Sequence, residues 1–164
     1  MSKLDDKDTL GTNPPRSAGA EMSRVLNLFS AQCGLTADQK GFHQAFADAQ
    51  FLERLAFAGG SDRMGQFSPE ERTRLEDIAK RIRLLEVGMK MMLIVSELAE
   101  GLESLRDTGF DGHLNGEGNL GEELADAGIR LADLSSLIGT QLGNDIVDKM
   151  SVNDGRPYRH GRHA

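Results

Sequence analysis

The chain has 164 residues, of which 38% are apolar and 27% charged, with a formal net charge of −7. That is the size and makeup of one globular domain rather than a disordered chain. The acidic balance lacks the basic footprint of a general nucleic-acid binder. A lone cysteine, Cys33, leaves no internal disulfide or cysteine-built zinc site. The longest uninterrupted aliphatic run, Met91 to Val95, falls far short of the ~20 residues of a spanning helix. No apolar stretch follows Met1, so no secretory signal is expected and a cytoplasmic setting follows. Aromatic residues are only 5% and β-branched residues are sparse, so the chain favours helices over sheets.

Residues 1–20 hold Pro14, Pro15, Gly11 and Gly19 among polar side chains and read as a flexible segment. A single all-α domain is expected over 21–150, followed by a basic tail over 151–164. Within the domain, Val25, Leu26, Leu28 and Phe29 mark a first helix from Glu21 to Gly34. Thr36-Ala-Asp-Gln39 has the capping-box form and predicts a second helix start, with Gly59-Gly60 as its end. Ser68-Pro69-Glu70-Glu71 is the clearest start in the chain. The long helix after it is predicted to run to Arg106, with a break near Gly88. After a Gly-rich loop, Leu124, Ala127, Leu131, Leu134 and Ile138 predict a helix over 122–138, and a short segment over 146–150 closes the domain. No heptad seam is apparent. Met89, Met91 and Met92 read as core filler, and Phe42 as core.

Two helices carry acidic pairs three residues apart: Glu97 with Glu100, and Glu123 with Asp126. Residues at that spacing share a helix face, and the connecting loop lets the helices lie antiparallel. Such pairs are most often a solvated face. Glu97 and Glu100, however, follow an apolar stretch and are interleaved with Leu98, Ala99 and Leu102, on a helix apolar over most of its circumference. Four inward carboxylates repel one another and lose hydration. A divalent cation resolves both problems, and all-oxygen ligation selects Mg²⁺ or Mn²⁺. No Glu-x-x-His motif of the di-iron bundles occurs on these helices.

The runs Met91-Met-Leu-Ile-Val-Ser96-Glu97-Leu-Ala-Glu100 and Glu122-Glu123-Leu-Ala-Asp126, with 22 residues between Glu100 and Glu123, resemble the MazG-like nucleotide pyrophosphohydrolases of the phage type. That superfamily is marked by E-E-x-x-E, a spacer and E-x-x-D; here Ser96 stands at the first Glu. The ending Lys149 to Gly161 and Lys40-Gly41-Phe42 resemble the same subgroup, with His43 where its Trp is expected, and the stretch over 43–86 reads as an inserted helical segment. The resemblance implies an all-α bundle, a homodimer or homotetramer. It also implies Mg²⁺-dependent hydrolysis of a nucleoside triphosphate, possibly a deoxynucleotide, to monophosphate and pyrophosphate. Carried over residue by residue, Glu97, Glu100, Glu123 and Asp126 are the expected metal ligands, and Glu97 or Glu100 the expected general base. Lys149, Asn153, Arg156 and Tyr158 of the tail are the expected nucleotide contacts, Lys149 as a point charge and Arg156 as a fork to two phosphate oxygens.

Two rival classes stand beside this reading. The same fold with weakened turnover, for which Ser96 and the insert speak, is a nucleotide- or metal-binding module acting as sensor or scaffold. A plain helical interaction protein with solvated acidic faces predicts no effect of Mg²⁺ on melting temperature.

Overall fold

The computed structural model describes residues 16–57 and 67–156, and every regular element among them is a helix. In chain order these are α1 (Arg16–Gln39), α2 (Gln44–Phe57), α3 (Pro69–Leu114), α4 (Leu120–Leu137) and α5 (Leu142–Asp154). None of them is long and apolar enough to cross a membrane. The described residues fall into two compact units, 16–29 with 141–156, and 30–140.

In the first unit α5 docks its N-terminus on α1. Gln141, at the cap position of α5, makes no side-chain cap. Its place is taken across the unit, where the Gly143 N–H donates to Asn27 Oδ1 at 2.7 Å. Asn27 Nδ2 donates to Asn144 Oδ1 at 3.1 Å, so one asparagine serves both the helix end and its neighbour. A side chain at Gly143 would run into the Ser23 carbonyl, which is why this contact requires glycine.

The second unit is built on α3. Its start is the predicted capping box: the Glu71 N–H donates to Ser68 Oγ, and the Ser68 N–H donates back to the Glu71 carboxylate at 2.7 Å. The break falls at Gly109 rather than Gly88. Gly109 has φ 68°, inside the left-handed region, whereas Gly88 sits in unbroken helix, where its cost is only about 1 kcal/mol against alanine. α2 packs on the first half of α3 through the Glu53–Arg83 pair, with the Arg83 guanidinium 5.8 Å from the Phe46 ring centroid. α4 returns antiparallel along the second half. Its start is held by Ser104 Oγ, which accepts the Asn119 N–H at 3.0 Å.

The Thr36 capping box is not used. α1 runs on to Gln39, and Thr36 Oγ1 donates to the Gln32 carbonyl one turn back at 3.0 Å, the alternative bond open to a mid-helix threonine. Nor does Gly34 end the helix. It is buried against Ser136 of α4, and the adjacent Ser30 Oγ donates to the Ala132 carbonyl at 2.7 Å.

The packing along α3 is inverted. Its buried residues are Ala79, Glu86, Lys90, Glu97 and Gly101, spaced 7, 4, 7 and 4 apart, which is a single helical stripe. That inward stripe is mostly charged. Leu84, Met91, Val95, Leu98 and Leu102 point outward, and so do Met89 and Met92, correcting the expectation that these methionines fill the core. Phe42 is likewise exposed. The buried apolar residues are small, mainly Ala37, Ala49, Ala56, Ala79, Ala127 and Ala132 with Leu134.

Candidate metal centre

Glu97 lies on the inward stripe of α3, and Glu100 follows nearly one turn later, more exposed. Glu123 is buried at the start of α4. Oxygens of the three carboxylates lie within 4.8 Å of one another. Gly101 makes this closeness possible: a Cβ there would stand 3.3 Å from the Glu123 Cβ and 3.2 Å from Leu120 Cδ1. With no side chain at 101, the stem of Glu123 lies against the α3 backbone, and its carboxylate reaches those of Glu97 and Glu100.

Each carboxylate is also oriented by a neighbour. Arg130 Nε donates to Glu97 Oε1 at 2.6 Å. Ser96 Oγ donates to Glu100 Oε1 at 3.1 Å, one turn on. Asn119 Nδ2 donates to Glu123 Oε1. Burial pushes the Glu123 carboxyl above its ordinary value, and the negative charges of Glu100, Glu97 and Asp126 push the same way. Three carboxylates face one guanidinium, so the cluster carries excess negative charge.

Asp126 is exposed and stands outside the group of three, although its charge is felt at Glu123. The donor set, all carboxylate oxygen, suits a hard divalent ion. A cation there would offset the repulsion that raises Glu123. The residues therefore fit Mg²⁺ or Mn²⁺.

Lys149 and Asn153 lie exposed on α5, and Arg156 exposed just past its end, all in the first unit; the carboxylates belong to the second. Tyr158 lies outside the described residues.

A second buried cluster was not expected from the sequence. Asp133 of α4 accepts from Lys90 Nζ of α3 at 2.9 Å, and its other oxygen lies 2.7 Å from His43 Nε2, in the turn between α1 and α2. All three side chains are nearly buried. The available signal was Lys90 itself, a lysine inside the run Met89–Val95; a buried lysine demands a partner. Beyond His43 lies an open cleft of about 500 Å³ lined by Leu35, Asp38, Phe46 and Ser136 among others. It is about 20 Å along α4 from Glu123, at 1.5 Å per residue.

Comparison of the chain with models of protein families, with curated proteins and with solved structures finds no match.

Proposed function

We propose that the chain is a divalent-cation-dependent hydrolase that splits a nucleoside triphosphate into monophosphate and pyrophosphate, working as a homodimer or homotetramer. The observation that carries this is the convergence of Glu97, Glu100 and Glu123 within 4.8 Å, on the two helices whose sequences bear the MazG-like motif. Glu97, Glu100 and Glu123 hold the ion, with Asp126 one turn further along α4. When bound, Mg²⁺ or Mn²⁺ supplies positive charge to phosphate oxygens and lowers the pKa of water. Glu97 is engaged by Arg130, whereas Glu100 is the exposed member, held by one hydroxyl. Glu100 therefore takes the proton from the attacking water, in the role of general base. Arg130 keeps Glu97 facing the site. Lys149, Asn153, Arg156 and Tyr158 receive the phosphates and sugar by the resemblance of the tail.

The test is incubation with each ribo- and deoxynucleoside triphosphate, with Mg²⁺ or with EDTA, followed by phosphorus NMR, alongside Glu100→Gln. Monophosphate and pyrophosphate forming only with Mg²⁺ and the intact carboxylate is the expected outcome. Orthophosphate and diphosphate instead would mean attack at a different phosphorus. No turnover on any nucleotide, with Mg²⁺ still raising Tm, would shift the reading to the sensor or scaffold, the alternative that the serine at position 96 favours.

A further inference from the structure

One stripe of α2 borders two clefts. Phe46, Ala47, Gln50, Glu53 and Arg54 recur three and four residues apart and so share a face of the helix. The first cleft is the one beyond His43, of about 500 Å³. The second, of about 430 Å³, is lined by Gln50, Glu53, Arg54 and Arg83. Gln50 lines both, and Phe46, in the wall of the first, is the ring beside which the Arg83 guanidinium sits. The clefts therefore meet at Gln50 and form one groove. Each volume lies in the range of small-molecule sites, roughly 300–1,000 Å³. The whole groove belongs to the second unit, and it contains none of the carboxylates of the metal centre.

The groove is dipolar. At its first end Asp133 is engaged by Lys90 and, as a carboxylate, can only accept, so the proton of its other bond sits on His43 Nε2. In the neutral ring the second nitrogen, Nδ1, is then an acceptor. It lies 3.9 Å from Asp38 Oδ1, too far for a hydrogen bond between them, with room for one donor group to reach both. Asp133 and Lys90 offset each other, so Asp38 leaves this end negative. At the second end Arg54 and Arg83 outnumber Glu53, and the balance is positive. The wall of the first cleft is otherwise apolar, made by Ala31 and Leu35 of α1, Phe46 and Ala47 of α2 and Leu137 of α4.

We propose that this groove binds a small zwitterion with an apolar middle, in the class of a short free peptide. Its ammonium donates to Asp38 and to His43 Nδ1, its carboxylate meets Arg54 and Arg83, and its side chains lie on the apolar wall. Length agrees with this. From His43 to Gln50, where the second cleft opens, is about 10 Å, and three extended residues span about the same. Charge fixes which way round the ligand lies, since reversing it sets like on like at both ends. Nothing in the groove depends on the proposed hydrolysis, whose carboxylates begin about 20 Å away along α4.

The test is a titration of the full isotope-labelled chain with the tripeptide Leu-Ala-Leu in EDTA, followed by amide NMR. Saturable shifts at Gly34, Ala47 and Gln50 with one common Kd are expected. Acetylating the peptide removes its ammonium and amidating it removes its carboxylate; each change should weaken binding at least about tenfold, equal to about 1.4 kcal/mol. Asp38→Ala should erase the preference for the free over the acetylated peptide, and Arg54→Gln should reduce the preference for the free over the amidated one. Both side chains are exposed, so both variants should keep the wild-type Tm and its rise with Mg²⁺. Absence of saturable shifts up to the solubility limit of the peptide would overturn the proposal. Equal binding of the three peptides would overturn it too, leaving an apolar groove with no preference for a zwitterion. So would shifts unchanged in Asp38→Ala and Arg54→Gln. A Tm that Mg²⁺ does not move, with the peptide still bound, would strike the metal reading and leave this one standing.

Discussion

The α3–α4 pair carries two charged clusters about 10 Å apart along α3, and they differ in balance. At one, Asp133 meets Lys90 at 2.9 Å and His43 at 2.7 Å, so an anion and a cation face each other inside one hydrogen-bonded group. At the other, Glu97, Glu100 and Glu123 converge with only Arg130 against them. The first is complete as it stands and joins α3 and α4 to the turn between α1 and α2. The second raises the proton affinity of its own member Glu123 and gains from a positive ion. Local geometry is similar at both; the charge sum separates a structural cluster from a candidate binding site.

The largest expected effect breaks the balanced cluster. Lys90→Met leaves Asp133 buried and short of its cation, which should cost about 3–5 kcal/mol, read as a fall in the urea midpoint at constant slope. Adding Asp133→Leu should recover part of the loss, since replacing both members of a buried pair with apolar residues is often neutral, the remainder being the bond that nearly buried His43 gives up. If Lys90→Met alone changes nothing, the cluster does not hold the helices together.

The second effect belongs to the unbalanced cluster. With Mg²⁺ at about 100 times its Kd, linkage gives the folded state about 2.7 kcal/mol, or about 5–10 °C in Tm for a chain of this length. Glu123→Gln should abolish that rise, whereas Lys90→Met, although destabilised, should keep it. Thermal scans with Mg²⁺ and with EDTA on the three proteins decide whether the two clusters have different roles.

The same geometry explains what could be read beforehand. The Ser68 start, the α4 helix and the placing of both acidic pairs on helices rest on local spacing, and all three reappear in the structure. Of the α4 stripe, however, only Ala127 and Leu134 are buried while Leu124, Leu131 and Ile138 are exposed, and Asp126 stands outside the carboxylate group. Thr36 and Gly88 misled because each signal has two local outcomes. A threonine caps a helix or bonds back to it, and a glycine breaks a helix or is tolerated in it. At Thr36 the buried neighbours Gly34 and Ala37 carry the helix through. At Gly88 nothing lies within 4 Å of the missing side chain, and the helix continues on its own backbone bonds. The His43–Asp133–Lys90 group joins residues up to 90 apart in the chain, beyond any periodicity. The methionine run was read as core because apolar residues in a long helix usually face inward. Here the inward stripe had already been taken by Glu86, Lys90 and Glu97.

Gly101 sharpens the comparison further, because it shapes only the acidic cluster. Gly101→Ala places a Cβ 3.2–3.3 Å from Leu120 and Glu123, which must give way by a few tenths of an ångström. That local crowding is set against the roughly 1 kcal/mol that alanine gains over glycine inside a helix, so the readout is the site rather than global stability. The Mg²⁺-induced rise in Tm should shrink as Glu123 is carried away from its two neighbours. A full rise in this variant would mean that the close approach at Gly101 does not set the site.

The smallest effect is in pH. Glu123 holds its proton more tightly in the folded chain than in the unfolded one, because burial and its acidic neighbours disfavour the charge. Over the range from the ordinary glutamate value up to the raised one, the folded state binds more protons, so its stability falls as pH rises through that range. Below the range both states are protonated and the penalty is absent; above it the penalty is complete. Saturating Mg²⁺ should flatten this slope, since the ion takes the place of the proton, and Glu123→Gln should flatten it without the ion. The balanced cluster offers a control within the same chain. Lys90→Met with Asp133→Leu leaves Glu123 and its neighbours untouched, so its difference in stability between Mg²⁺ and EDTA should follow the wild-type pH course. If that double variant also lost the Mg²⁺-dependent part of the slope, the two clusters would be acting as one electrostatic unit, and the separation drawn between them by charge would fail.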